Sequence, residues 1–69
     1  MFEITLREEF IKLGQALKAA HLVESGAEAK DVILAGEVKV NGEVCTMRGK
    51  KLYPQDVVTF GGEEIRIKA

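Results

Sequence analysis

The residues able to do chemistry in this chain are mainly cations that could contact an anion. The densest positive run covers residues 48–51 and contains a flexible glycine. Lysine and arginine neutralise phosphate groups, and the start of a helix adds free backbone amides that can receive an anion. The candidate cations are Lys12, Lys18, Lys30, Lys39, Arg48, Lys50 and Lys51.

Catalytic and metal-binding chemistry finds little support in the sequence. Cys45 is the only cysteine and His21 the only histidine, so one chain can form neither an internal disulfide nor a Cys/His metal cluster. Two pairs of adjacent glutamates, at 8–9 and 63–64, point in different directions and do not form an acid and base couple. We therefore predict a non-enzymatic protein without cofactor or metal.

The net charge of -1 is not typical of a nucleic-acid-binding domain, but the charges are polarised. Residues 1–11 hold three glutamates against one arginine, a net charge of -2, whereas residues 38–53 hold four cations against one glutamate, a net charge of +3. Two interpretations stay open. The cations converge on one face if two helices pack side by side with a hairpin at their end, or they are scattered surface charges balanced by acids elsewhere.

The length of 69 residues predicts one domain, covering 1–69, with room for two helices and a small sheet. No stretch approaches the roughly 20 apolar residues needed to cross a bilayer, and the charged N-terminus lacks the apolar run of a signal peptide. We expect a soluble, cytoplasmic monomer with no membrane partner.

The stretch from Ser25 to Gly42 predicts the scaffold that positions the cations. Ser25 and Glu28 have the spacing of a capping box, in which the hydroxyl accepts from the Glu28 amide and the glutamate reaches back to the Ser25 amide. The helix that starts there should end at Gly36 in a left-handed conformation. A strand at 38–40, a hairpin turn at Asn41-Gly42 and a returning strand at 43–46 should follow.

The flanking segments complete the predicted fold. Alternation at 2–6 predicts an edge strand, and apolar runs at 57–60 and 65–67 predict a closing hairpin. From about Glu8 the period lengthens into a first helix, where Gly14 would allow close contact with a neighbour. One face of this helix carries Phe10, Leu13, Leu17 and Ala20. The predicted class is α+β, with two packed helices against a small, mostly antiparallel sheet with a hairpin.

Many of these residues together form a recognisable pattern. It comprises residues 25–30, then Ile33, Gly36, Val38, Val40, Asn41 and Gly42, and later residues 49–52 and 56–58. This pattern resembles the S-four RNA-binding domain, named after small-subunit ribosomal protein four and found also in some pseudouridine synthases, tyrosyl-tRNA synthetases and a heat-shock ribosome-binding protein. The resemblance spans nearly the whole chain. It is closest to stand-alone bacterial versions, which carry runs like residues 13–18 and 48–53.

The resemblance implies a helix pair packed on a small sheet, with RNA contacted by the helices and the adjoining hairpin and loop. By position it makes these residues candidate RNA contacts: Lys12, Lys18, Lys30, Lys39, Arg48, Lys50 and Lys51. Ser25 is the cap that orients the second helix. The chain departs from many members at Gly26, where they have arginine, and at 12–14, where they have Arg-Leu-Asp.

The resulting prediction is a non-enzymatic module that binds structured RNA, with ribosomal RNA, tRNA and the ribosome as candidate partners. Shape should matter more than base sequence, because few side chains are placed to read single-stranded bases. Tyr53 is the only candidate for stacking in the basic region, and packing under the loop is its alternative role. Two other classes stay open: a protein-binding or regulatory domain of the same fold with little RNA affinity, and a small enzyme accessory subunit.

Overall fold

In the computed structural model, which describes residues 2–69, the chain forms two helices and seven strands. The helices are α1 (Leu13–Ala19) and α2 (Gly26–Leu34). The strands are β1 (Phe2–Thr5), β2 (Ile11–Lys12), β3 (Val38–Val40), β4 (Glu43–Val44), β5 (Lys51–Leu52), β6 (Val57–Phe60) and β7 (Glu63–Lys68).

Five of the strands form one sheet in the order β1-β7-β6-β3-β4, and the other two form a separate ribbon. β1 runs parallel to β7, and the remaining pairs are antiparallel. In the ribbon, β2 pairs with β5 so that Ile11 lies opposite Leu52 and Lys12 opposite Lys51. The predicted α+β class, the edge position of β1 and the closing hairpin of β6 and β7 are confirmed.

The hydrophobic core lies between the two helices and one face of the sheet. The largest fully buried side chains are Leu13, Leu17, Ile33, Leu52, Ile65, Ile67, Val38 and Val58. Strand alternation explains the arrangement, since Ile65 and Ile67 are buried while Arg66 between them is exposed on the opposite face. Within residues 2–69, no helix is long and apolar enough to cross a bilayer.

The scaffold between Ser25 and Gly42 forms largely as predicted. Gly36 has a φ of 77° and ends α2 in a Schellman motif, because its amide donates to the Ile33 carbonyl (3.1 Å) and the Glu37 amide donates to the Val32 carbonyl (3.1 Å). Asn41 then takes a φ of 53° and begins the two-residue turn between β3 and β4.

Three predicted elements are shorter in the structure. β1 ends at Thr5 rather than at residue 6. The first helix begins at Leu13 rather than near Glu8, because residues 11–12 pair with β5 as a strand instead of joining the helix. β4 ends at Val44 rather than at residue 46. Cys45 follows it, with its amide donating to the Val38 carbonyl (3.0 Å).

The end of α1 uses the same motif as the end of α2 but without a glycine. The His21 amide donates to the Lys18 carbonyl (3.0 Å), the Leu22 amide donates to the Leu17 carbonyl (3.1 Å), and His21 itself has a φ of 59°. A left-handed conformation costs a non-glycine residue on the order of 1 kcal/mol. His21 is thus a strained position next to a helix end.

We predict opposite stability changes at the two helix ends. His21→Gly should raise the free energy of unfolding by about 0.5–1 kcal/mol, because glycine removes the left-handed penalty and loses only part of this gain to its larger unfolded-state entropy. Gly36→Ala should lower it by about 1 kcal/mol. Urea unfolding followed by circular dichroism would measure both variants. A less stable His21→Gly variant would contradict this explanation.

Candidate nucleic-acid interface

The basic loop, residues 48–51, is attached to the start of α1 by backbone hydrogen bonds. The Leu13 amide donates to the Lys50 carbonyl (2.9 Å), and the Gly14 amide donates to the Arg48 carbonyl (3.2 Å). A helix leaves its first amides without intrahelical partners, and these carbonyls satisfy two of them. The pairing of β2 with β5 continues the attachment. The loop is therefore held in a fixed position against α1.

The residue before α1 gives this helix little capping of its own. Lys12 occupies the cap position, and a lysine side chain has no acceptor atom for the helix amides. Only the return bond of a capping box is possible, from the Lys12 amide to Gln15 Oε1 at 3.4 Å. The carbonyls of the basic loop thus take the place of a capping side chain.

The start of α2 has the side-chain cap that α1 lacks. Ser25 Oγ accepts from the Glu28 amide at 3.1 Å, which confirms this half of the predicted capping box. The other half is wrong, because Glu28 Oε1 accepts from the Glu24 amide (2.8 Å) rather than from that of Ser25. The amides of Gly26 and Ala27 donate to no group within residues 2–69.

A groove of about 300 Å³ lies where α1, the start of α2 and the basic loop meet. We call it the helix groove, and it is lined by Lys12, Gly14, Gln15, Lys18, Gly26, Ala29, Arg48 and Gly49. Three of these residues are exposed cations, and the described residues lining the groove include no carboxylate. The structure thus brings Lys12, Lys18 and Arg48 together at one site.

A second groove, of about 560 Å³, lies on the other side of the basic loop. We call it the hairpin groove, and it is lined by Val40, Asn41, Glu43, Val44, Cys45, Thr46, Met47, Lys50, Lys51, Tyr53 and Asp56. Its two cations come from the basic loop, while Arg48 and Gly49 of the same loop line the helix groove. The loop therefore borders both grooves.

The two remaining candidate cations lie outside these grooves. Lys30 follows Gly26 by four residues, so it lies on the same side of α2 as the helix groove without lining it. Lys39 lies between the buried Val38 and Val40, so it is on the sheet face that points away from the helices. Of the two interpretations left open, convergence therefore does not extend to Lys39, while its role as an RNA contact stays a prediction.

The candidate cations have no acidic partners in the described part of the chain. Within residues 2–69 the ion pair found is Glu3 with Lys68, at 3.7 Å between Oε1 and Nζ. Lys12 and Lys51 lie directly opposite one another in the ribbon, and like charges so placed are destabilising. Lys51 Nζ lies 4.8 Å from the ring centroid of Phe10. An anionic ligand would therefore displace no acidic partner from these cations within the described residues.

The side chains that commonly bind metals are not grouped in the described part of the chain. Across residues 2–69, no group of three or more His, Cys, Asp or Glu side chains is placed to hold a metal ion.

Comparison with known proteins identifies the family. The family model for the S4 domain, the same domain that the sequence resembles, matches residues 4–68. The chain belongs to the S4 domain family. The probable ribosome maturation protein RlbA of Bacillus subtilis is 46% identical to this S4 domain over 59 residues, which cover 86% of this chain and 83% of RlbA.

A second relative supplies a solved structure. The putative RNA-binding protein YbcJ of Escherichia coli is 37% identical over 59 residues, covering 86% of this S4 domain and 84% of YbcJ. The YbcJ solution structure matches with a TM-score of 0.76 at 34% identity over 100% of this chain and 89% of that chain. That structure is described as revealing an alfaL motif involved in RNA-binding.

Sequence reasoning missed two residues that shape the helix groove of this S4 domain. Gln15 and Ala29 line the groove beside the predicted cations without having been predicted, whereas Gly26, at the predicted helix start with free amides, and Gly49, in the predicted basic loop, line it as well. Gly14 was predicted to allow a close contact, and a Cβ there would lie 3.7 Å from the Arg48 carbonyl oxygen and 3.9 Å from Ala29 Cβ. The signal available in the sequence was the small residues on the two helices, since glycine and alanine allow α1, α2 and the basic loop to approach one another closely.

We predict that the Ser25 cap stabilises α2 at the edge of the groove. Ser25→Ala should lower the free energy of unfolding by about 1 kcal/mol, because the Glu28 amide loses its acceptor. Ser25→Asp keeps an acceptor at the cap and is the matched control, expected within about 0.5 kcal/mol of the original protein. Thermal unfolding would measure both, and equal melting temperatures for the alanine variant and the original would rule out a stabilising cap.

Proposed function

We propose that this S4 domain binds structured RNA without catalysing a reaction, with ribosomal RNA as the first candidate and tRNA as the second. The observation that carries the proposal is the helix groove, which is lined by Lys12, Lys18 and Arg48 without a carboxylate among the described lining residues. Bound phosphates would be neutralised by these cations, and the counterions released would supply much of the binding free energy.

The backbone at the start of α2 supports the same ligand chemistry. The Gly26 residue lines the helix groove, and its amide and that of Ala27 are without partners in the described chain. A helix start carries a partial positive charge, so free amides there favour an anion. Glu28 is nearby but its Oε1 already accepts from the Glu24 amide. A phosphate can therefore be contacted by both side chains and backbone.

Rigid attachment of the cations favours a ligand with phosphates at fixed positions. Lys18 lies on α1, Lys12 lies in the ribbon, and Arg48 belongs to a loop whose carbonyls are bonded to α1. A folded RNA presents its phosphates in a set arrangement and is recognised largely by shape. This is the physical reason for preferring structured RNA over a flexible single strand.

The relatives support the choice of RNA and of ribosomal RNA within it. YbcJ is named a putative RNA-binding protein, and RlbA is named a probable ribosome maturation protein. We extend the proposal to a monomeric, cytoplasmic protein that associates with the ribosome or its RNA. The runner-up, a protein-binding domain with little RNA affinity, is favoured by the net charge of -1 and is an outcome of the test below.

The proposal is tested by the salt dependence of RNA binding. Filter binding of ribosomal RNA and tRNA at several salt concentrations should give a plot of log K against log salt with a slope of roughly -2 to -4.5. This range is expected for about three phosphate contacts in the helix groove and up to two more at Lys50 and Lys51. Lys12→Gln, Lys18→Gln and Arg48→Gln should each make this slope shallower by about 1. Replacing both Lys50 and Lys51 by glutamate should also weaken binding in a folded protein.

Arg66→Gln is the matched control for Arg48→Gln, because it removes the same charge from the exposed face of β7. Lys39 lies on the same exposed face of the sheet as Arg66. Arg66→Gln and Lys39→Gln should therefore both leave the slope unchanged if RNA contacts only the grooves, and a shallower slope for Lys39→Gln would show that this face takes part. Lack of binding at low salt would reject the proposal and favour the protein-binding alternative.

We also predict that a cation can be added to the groove. Gly26→Arg should raise RNA affinity severalfold and steepen the salt slope by about 1, because a Cβ at this position meets nothing within 4 Å and the residue lines the helix groove. Gly26→Ala is the control, since it makes the same backbone change without charge. Equal affinities for the two folded variants, measured by filter binding, would show that bound RNA does not approach α2.

A further inference from the structure

The aromatic pair beside the basic loop has no role in the proposed phosphate contacts. The ring of Tyr53 packs against Phe10 with 6.2 Å between centroids and 51° between planes, yet Tyr53 remains 43% exposed. Lys51, in β5 of the ribbon, has its Nζ 4.8 Å from the Phe10 centroid. The tyrosine ring is therefore supported by an aromatic neighbour and still accessible.

The backbone that carries Tyr53 is held by a small hydrogen-bond network. The Tyr53 amide donates to Asp56 Oδ2 (2.8 Å), and the Asp56 amide donates to the Tyr53 carbonyl (3.1 Å). Asp56 Oδ1 in turn accepts from Asn41 Nδ2 at 3.1 Å, which ties this turn to the β3–β4 hairpin. A ring on such a fixed turn loses little conformational freedom when a ligand binds to it.

The position of Tyr53 relative to the two grooves indicates what would reach it. Tyr53 lines the hairpin groove together with Lys50 and Lys51 and with the carboxylates of Glu43 and Asp56. Both oxygens of Asp56 already accept hydrogen bonds, from the Tyr53 amide and from Asn41 Nδ2. Arg48 and Gly49, from the same loop, line the helix groove. A nucleic-acid strand that leaves the helix groove across the basic loop therefore passes two lysines and then meets an exposed aromatic ring.

We infer that Tyr53 is a stacking platform for an unpaired base next to the structured part of the bound RNA. The inference rests on the proposed RNA binding and adds a preference to it. One face of the base stacks on the ring while the adjoining phosphates lie near Lys50 and Lys51. Every base has a π-face, so stacking of this kind discriminates paired from unpaired nucleotides rather than one base from another.

Matched RNA probes test this preference. An RNA hairpin with a blunt end and the same hairpin with a short single-stranded extension would be compared by filter binding at one salt concentration. The extension should tighten binding to the original protein by roughly 5- to 100-fold, the range expected for one stacked base. Tyr53→Phe should keep this gain and Tyr53→Leu should lose it. Phe2→Leu, an exposed aromatic on β1, is the control and should keep it.

Intrinsic fluorescence supplies a second test that needs no variant. Tyr53 is the only tyrosine and the chain has no tryptophan, so its emission reports this ring alone. The extended hairpin should quench the emission after correction for absorbance by the RNA, and the blunt hairpin should quench it far less. This measurement stands even if Tyr53→Leu does not fold.

The outcomes separate this inference from the proposed function. Equal binding of both hairpins without selective quenching would overturn the stacking role and leave the RNA-binding proposal in place. Loss of the gain in Tyr53→Phe would also overturn it, because the hydroxyl rather than the ring face would then be responsible. Lack of binding to either hairpin would instead refute the proposed function on which the inference rests.

Discussion

The attachment of the basic loop to the start of α1 is the constraint on which the site depends. The first amides of a helix need acceptors from outside the helix, and Lys12 at the cap position has none to offer. The carbonyls of Arg48 and Lys50 take that role. The same two bonds stabilise α1 and hold the backbone that carries Arg48 and Lys50 beside it, so the helix groove requires α1 and the loop to be folded together.

The elements that could be predicted from the sequence are those whose signals are local. Three such elements occur as predicted: the cap at Ser25, the helix end at Gly36 and the hairpin turn at Asn41. Each depends only on residues that are close to it in the sequence. The Glu28 carboxylate accepts from the Glu24 amide, one residue before the predicted Ser25 amide. The side chain thus extends one residue further back along the chain than the capping-box pattern implies. The start of α1 was misplaced because Phe10 has helical spacing to Leu13 even though a strand lies between them.

The ribbon of β2 and β5 escaped prediction for a different reason. Each strand has two residues, too few to show a period, and their pairing joins segments far apart in the chain. Because the ribbon was not predicted, the sequence could not show which of the cations lie together. Lys12, Lys18 and Arg48 meet because of the ribbon and the loop bonds. The exclusion of Lys39 was available from the sequence, since a residue between two buried valines on a strand faces away from the core.

The charge pattern indicates why a chain with a net charge of -1 can still suit an anionic ligand. The opposed pair of Lys12 and Lys51 lowers the stability of the ribbon, and a glutamate at either position would relieve the repulsion. Rules that favour stability are commonly broken at functional sites. Because the overall charge is slightly negative, long-range attraction to RNA is weak, and binding has to come from cations held at short range. Cations held at short range favour an RNA whose phosphates are positioned to match the groove, since overall negative charge alone, which every RNA has, gives little attraction.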